Sequence, residues 1–424
     1  GNAVPVLLAQ SIGEAIKAHI SGTIAVGEPE ADLAKDRGEQ LDNEKVAKKT
    51  VSKIKRVTAV SFFTGIGGLM LGFKNAGFEI LASYDMKNSV ERNLAINFPD
   101  VPHIRADAAE MTLEQVQSDV KGAAVDVVFG GPPCQGFSIM GRRRFVNTKN
   151  HRPEEDARNE LSLKYVDLAV GLDPKVIFME NVKGFLSTQR DDSTYLAEVQ
   201  AKFDKAGYDS EYSVVNCAEY GVPQARERFI LIAWKRGLVF QWPKPNHHSE
   251  PKSWQRRYRT VGDVISDLMD ESTCGEAFSH MPMKHKELVV ERYKLIPEGG
   301  RLPESGLPEH LQKGYRSDNV KNYSHVYRRL SMHAPATTMV PGHNAFPVHP
   351  VLNRTLTVRE AARIQTFPDW MQFAGTRQQQ CTLVGNAVPP LLAEIFANNI
   401  MKTVKGNFVD VGYKRDVYDL ATGT

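Results

Sequence analysis

The sequence predicts an α/β protein: a doubly wound, mostly parallel sheet joined to a small, irregular second lobe. Three observations lead there. Between residues 57 and 234 short apolar runs alternate with amphipathic stretches, the rhythm of strands covered by helices on both faces. Several of these runs end on glycine or an acidic residue, and open α/β sheets bind ligands beyond the carboxyl ends of their strands. After Trp234 the alternation stops, and residues 240–325 are rich in Pro, Gly, His and basic side chains.

Taken in order, residues 1–20 carry a helical apolar stripe (Val6, Leu7, Leu8, Ile12, Ala15, Ile16, Ile20), and 21–56 read as a polar, charge-mixed linker. A strand is expected at 57–63, followed by a glycine turn and a helix at 69–76. The second strand, 79–84, ends at Asp85 and leads into a helix at 89–98; the third, 103–106, ends at Asp107. The fourth, 125–129, runs into Gly130-Gly131-Pro132-Pro133 and then Cys134. The fifth, 175–179, ends at Glu180-Asn181-Val182, and strands at 211–216 and 229–234 complete the sheet. A helix at 358–365 and another from Pro390 close the chain. The expected organisation is an N-terminal extension (1–56), a catalytic and cofactor-binding domain (57–234), a second lobe (235–350), a return to the first domain (351–402) and a tail (403–424).

Composition narrows the function classes. The chain has 424 residues and a net charge of +3, too small by itself to announce nucleic-acid binding. The charge is uneven, however: residues 231–330 hold 17 Lys/Arg against 12 Asp/Glu, a local net of +5. No run of about 18 apolar residues exists to span a membrane, and the first residues lack the basic start of a signal peptide. The four cysteines (134, 217, 274, 381) show neither metal-ligand spacing nor a disulfide framework. A reducing, cytoplasmic setting is expected, because an oxidised Cys134 could not act as a nucleophile. The chain does not begin with Met, which fits a fragment or a processed form.

The chemistry centres on the turn before Cys134. Two prolines fix φ and two glycines admit a close ligand, a platform that an inert core thiol would not need. Phe63-Thr64-Gly65-Ile66-Gly67-Gly68 follows a strand and opens a helix, so its backbone N–H groups can meet a bound ligand. Asp85, about 20 residues on, is suited to the two hydroxyls of a ribose. Asp107 can accept from an adenine amino group; a helix cap or a solvated loop end is the plain alternative for either aspartate.

These stretches, with four others, resemble the cytosine-C5 DNA methyltransferase family across roughly residues 57–400. Residues 63–68 look like its S-adenosylmethionine loop, Pro132-Pro133-Cys134-Gln135 like its nucleophile loop and Glu180-Asn181-Val182 like its acid motif. Gln224-Ala225-Arg226-Glu227-Arg228 resembles its double-arginine motif, and residues 354–362 the segment that supports a target-recognition domain. Gly385-Asn386-Ala387-Val388-Pro389-Pro390 resembles its closing cofactor motif. Asp85 stands where many members have Glu, Lys87 replaces a frequent acid, and Leu383 occupies a place often held by Gln.

The resemblance implies a Rossmann-like methyltransferase that acts on cytosine in a short duplex DNA sequence. Cytosine C5 is too weak a nucleophile to take a methyl from a sulfonium, and a thiolate adding at C6 makes it one. Cys134 would be that nucleophile. Glu180, carrying a proton, would donate to N3 and accept from N4–H₂; Arg228 would hold O2, and Arg226 the thiol loop or a phosphate. A bound water is the default base for the C5 proton. Implied cofactor contacts are Phe63, Gly65, Gly67, Gly68, Asp85, Met86, Asp107, Ala108, Pro133, Asn386 and Ala387. The target must be flipped out of the duplex, covered by the loop after Cys134, with Gln135, Ser138, Arg142, Arg143 and Arg144 as DNA contacts. Implied partners are double-stranded DNA and a cognate restriction endonuclease acting on the same site, with the protein a monomer.

Two alternatives stand beside this reading: a tRNA cytosine methyltransferase, whose usual Cys-Phe-Thr tripeptide is absent, and an inactive DNA-binding relative. One feature is unusual for the family. Residues 1–9 (Gly-Asn-Ala-Val-Pro-Val-Leu-Leu-Ala) nearly repeat residues 385–393, so two segments compete for one cofactor slot, and the C-terminal copy, with both prolines, is expected to fill it.

Overall fold

Seven apolar runs pair into one sheet in the computed structural model, which describes residues 56–133, 159–190, 193–276, 278–303, 305–312, 327–339 and 346–406. The strands are β1 (Thr58–Phe62), β2 (Glu79–Asp85), β3 (His103–Arg105), β4 (Val127–Gly130), β5 (Val176–Asn181), β6 (Tyr208–Asn216) and β7 (Glu227–Lys235). Their order is β3-β2-β1-β4-β5-β7-β6; β1 to β5 are parallel and β7 runs antiparallel to both its neighbours. Because Phe229 pairs with Asn181 and Glu227 with Asn216, the start of β7 lies on the same rim as the carboxyl ends of β5 and β6.

The strands are apolar on both faces, as expected of a sheet covered on both sides. One core takes Ala59, Val127, Phe129, Val176, Phe178, Ile230 and Ile232 from the sheet and packs them against α1 (Gly68–Asn75) and the closing helix α9 (Pro390–Val404). Phe73 of α1 stacks on Phe129 at 4.0 Å. The alternate residues, among them Val60, Phe62, Val128, Ile177, Met179, Phe229 and Leu231, form a second core beneath α4 (Glu160–Gly171) and α5 (Tyr195–Lys205). α2 (Asn88–Asn97) and α3 (Leu113–Asp119) complete the βα units around β2 and β3.

Residues beyond β7 build a smaller core from Tyr293, Ile296, Leu302, Leu307 and Val348, with α6 (Glu287–Lys294) alongside. Buried arginines add to this cluster. Arg329 donates to the carbonyls of Tyr293, Ile296, His349 and Leu352, and Arg292 donates to that of Leu311. α7 (Val358–Ile364) carries the joint between this region and the sheet. A capping box of Thr357 and Glu360 starts α7, and Arg354 pairs bidentately with the buried Glu360 at 2.7 and 2.8 Å.

The expected strands are present with shifted ends. β5 runs two residues further, so Glu180 and Asn181 are its last two positions, and β6 begins three residues earlier, at Tyr208. Helix α8 (Arg377–Asn386) was not expected: Gln378, Gln379 and Gln380 give it little apolar periodicity, but Thr376 and Gln379 form a capping box. Gly385 and Asn386 therefore end one helix, and the next begins at Pro390. Residues 1–55, with the first copy of the repeated segment, lie outside the described residues.

Candidate active site

The glycine turn is held open by backbone geometry. Phe63, Gly65 and Gly67 have φ of 52°, 55° and 89°, and Gly67 caps the start of α1. Thr64 fastens the turn to β2: its N–H donates to the Tyr84 carbonyl at 3.1 Å, and its hydroxyl meets that of Ser61 at 2.9 Å. Sequence reasoning passed over Thr64; a hydroxyl residue inside a glycine turn was the available signal. Asp85 Oδ2 accepts the Gly65 N–H at 3.0 Å and Oδ1 accepts the Lys87 N–H at 3.1 Å. The carboxylate thus shapes the turn while each oxygen keeps a second lone pair for a ligand. A side chain built at Gly65 would meet nothing within 4 Å, so the turn faces open space.

Asp107 follows β3, and its Oδ1 accepts the Ala109 N–H at 3.0 Å, the local turn bond of the plain alternative. The Ala106 N–H donates to the Asp85 carbonyl at 3.1 Å, which sets the ends of β2 and β3 side by side. Met86 is 57% exposed and Ala108 is buried. The closing motif abuts the same turn: a Cβ on Gly68 would stand 2.2 Å from the Val388 carbonyl oxygen, a place only glycine can fill. Asn386 is exposed and Ala387 half-buried beside that contact. Open space at Gly65, spare carboxylate lone pairs on Asp85 and exposed Met86 fit a nucleoside cofactor such as S-adenosylmethionine.

Glu180 occupies the penultimate position of β5. Arg228 Nε donates to its Oε1 at 2.9 Å, with both side chains nearly buried. A Cβ on Gly131 would lie 3.0 Å from Oε2, so the carboxyl presses against the turn that leads to Cys134. Asn181 Nδ2 donates to the Pro132 carbonyl at 3.4 Å and ties the same turn to β5. Burial raises the carboxyl pKa of Glu180, and Arg228 and Arg226 pull against that without cancelling it.

The two arginines do not play equivalent parts. Arg226 is fully buried and donates to the Gly385 carbonyl at 3.0 Å, bracing the start of β7 against the closing motif. Arg228 is the one in contact with Glu180. Cys217 lies close by, its N–H donating to the Arg226 carbonyl at 2.9 Å, and burial pushes its thiol up to about 11. A thiol that holds its proton so firmly is packing rather than a nucleophile. Pro133 is half-buried at the end of the described turn. Cys134, Gln135, Ser138, Arg142, Arg143 and Arg144 lie outside the described residues. Among the described residues no group of His, Cys, Asp and Glu could hold a metal ion, and no helix is long and apolar enough to cross a membrane.

Comparison with known proteins agrees with this geometry. The Type II methyltransferase M.XorII of Xanthomonas oryzae pv. oryzae is 31% identical over 385 residues, covering 82% of this chain and 86% of the relative. M1.HphI of Haemophilus parahaemolyticus, also a Type II methyltransferase, is 34% identical over 352 residues, covering 82% and 87%. A prophage-encoded E. coli protein assigned as a DNA modification methyltransferase shares the fold, with a TM-score of 0.63 at 24% identity over 82% of this chain and 99% of that one. The methyltransferase EhMeth of Entamoeba histolytica does so at a TM-score of 0.53 and 17% identity, over 83% and 99%. The model of the C-5 cytosine-specific DNA methylases matches residues 57–402, which takes in the glycine turn, the Glu180 rim and the closing motif alike. The chain belongs to the C-5 cytosine-specific DNA methylase family and is a DNA (cytosine-5-)-methyltransferase.

Proposed function

We propose that the protein transfers the methyl group of S-adenosylmethionine to C5 of a flipped-out cytosine in a short, specific duplex DNA sequence, through a covalent bond from Cys134 to C6. The observation that carries this is Glu180: a carboxyl with a raised pKa, paired with Arg228 and pressed against the turn that delivers Cys134.

The residues divide the work as follows. The Cys134 thiolate adds to C6, the C5=C6 pair shifts to C4=C5, and the N3=C4 pair goes to N3, which takes a proton from Glu180. C5 then carries enough electron density to take a methyl; bound S-adenosylmethionine would supply it from its sulfonium, whose sulfur would keep the S–CH3 pair as a thioether. Arg228 holds both Glu180 and the charge that develops at O2. A water takes the proton from C5, the pair left behind re-forms C5=C6 as the thiolate leaves, and N3 returns its proton to Glu180. Asp85, the 63–68 turn and the 385–390 segment hold the cofactor, with the C-terminal copy of the repeated segment in its slot. The lobe at 235–350 reads the sequence, and the Type II relatives favour a role beside a restriction endonuclease of the same specificity.

Tritiated methyl transfer from S-adenosylmethionine tests the reading, with duplex DNA and tRNA as competing acceptors. Label in duplex DNA at cytosine C5 supports it; label in tRNA alone, or none, overturns it.

A further inference from the structure

The positive charge of residues 231–330 is not all offered to solvent. Arg292 and Arg329 are buried on main-chain carbonyls, while Lys235 and Arg236 pair with Asp173 and Asp204. Residues 247–259 differ. They hold four cations, Lys252, Arg256, Arg257 and Arg259, against a single acid, Glu250. Lys252, Arg256 and Arg257 are exposed and Arg259 half-buried, and among the described residues none of the four forms an ion pair. A short parallel pairing of His247 with Arg256 and His248 with Arg257 fixes their spacing. Trp254, 58% exposed, stands in the same stretch.

The surface lies toward the catalytic rim. β6 ends there at Asn216, and the turn after it reaches Gly221, where a Cβ would stand 2.8 Å from the His247 ring. The Asn246 N–H donates to the Glu219 carbonyl at 3.0 Å, a second tie to that turn. Five residues past Gly221 the chain enters Arg226 and then Arg228, the partner of Glu180. Cations gathered at one surface without counter-charges repel one another, and a polyanion relieves that repulsion. Duplex DNA presents one charge per about 1.7 Å of its axis.

We propose that Lys252, Arg256, Arg257 and Arg259 form a phosphate-contact surface that supplies sequence-independent affinity for the duplex, with Trp254 lying against the bound strand. The proposal rests on the DNA methyltransferase reading and assigns one of its binding surfaces. It separates affinity from readout: discriminating a base edge needs a guanidinium held at a fixed angle, and among the described residues none of these side chains has a partner to fix it.

The test compares the full chain with a Lys252→Gln/Arg256→Gln/Arg257→Gln variant and an Arg256→Lys/Arg257→Lys control. Dissociation constants for a target duplex and a scrambled duplex are measured from 50 to 200 mM salt, with tritium transfer assayed in parallel. Each lost phosphate contact removes about 0.9 from the slope of log affinity against log salt, so the triple variant should lose about 2–3. It should weaken both duplexes by the same factor, and the lysine control should keep the parent slope. Trp254 emission should change on DNA binding, and Trp254→Phe should remove that change. An unchanged slope in a protein that methylates DNA would overturn the surface and leave the catalytic reading intact. Weakening confined to the target duplex would make these residues base readers and overturn it too. Reduced DNA affinity in the variant of a parent that transfers no methyl would keep the surface and sink the catalytic reading.

Discussion

Glu180 meets Arg228 at 2.9 Å and still holds its proton more firmly than a free carboxyl, because burial removes more solvation than the guanidinium returns. That balance suits a proton donor to N3. Turnover should therefore fall as pH rises through the raised folded value of Glu180, and Glu180→Gln should lose this high-pH limb together with about 10²–10⁴ of the rate. A raised folded-state pKa also means that Glu180 favours folding at low pH and costs stability as pH rises through its folded value. The stability of the parent should then fall, relative to the glutamine variant, as pH rises above the ordinary carboxyl range. A high-pH limb that survives in Glu180→Gln, read from kcat against pH, would assign it to another group. Gly131 completes this residue-scale picture, since a Cβ there would stand 3.0 Å from Glu180 Oε2 and would make the carboxyl give way.

Among the elements, α7 and the segment before it form a joint rich in side-chain hydrogen bonds, and three neutral histidines take part. His349 Nδ1 accepts the N–H groups of Val351 and Leu352, His280 spans Thr357 and Leu268, and His285 Nε2 accepts the Thr355 N–H. Burial lowers all three, His349 to about 4. Depressed folded-state values give stability that is present above the ordinary histidine range and lost as pH falls. Thermal melts should drop between pH 6.5 and 4, and less steeply in His349→Gln, whose amide oxygen can still accept one of the two N–H groups; equal slopes would clear His349 of the effect. How much of this was legible in the sequence depended on periodicity. The strands and α9 showed themselves through apolar runs and Pro390. α8 did not, because its polar face outweighs its buried one, and the inward turn of Arg226 was hidden because an arginine in an extended segment gives no sign of its burial. Asp85 was legible as an acid at a strand end, whereas its bond to the Gly65 N–H depends on β1 and β2 being neighbours.

For the whole molecule, the sheet order sets the site. β1, β4 and β5 lie side by side, so the glycine turn, the Gly131-Pro132-Pro133 turn and Glu180 emerge along one rim, and β7 brings Arg228 to the same place by running backwards. The closing motif then locks against Gly68 and Arg226. The proposed reaction needs a nucleophile beyond Pro133, and Cys134 holds that position in the chain. Duplex DNA carrying 5-fluorocytosine at the target tests this most directly, because fluorine cannot leave C5 as a proton does and the thiolate stays bound. With S-adenosylmethionine present, the account predicts a covalent protein–DNA adduct stable to denaturing electrophoresis for the parent and none for Cys134→Ala, which should still bind the cofactor. An adduct that persists in Cys134→Ala would contradict it.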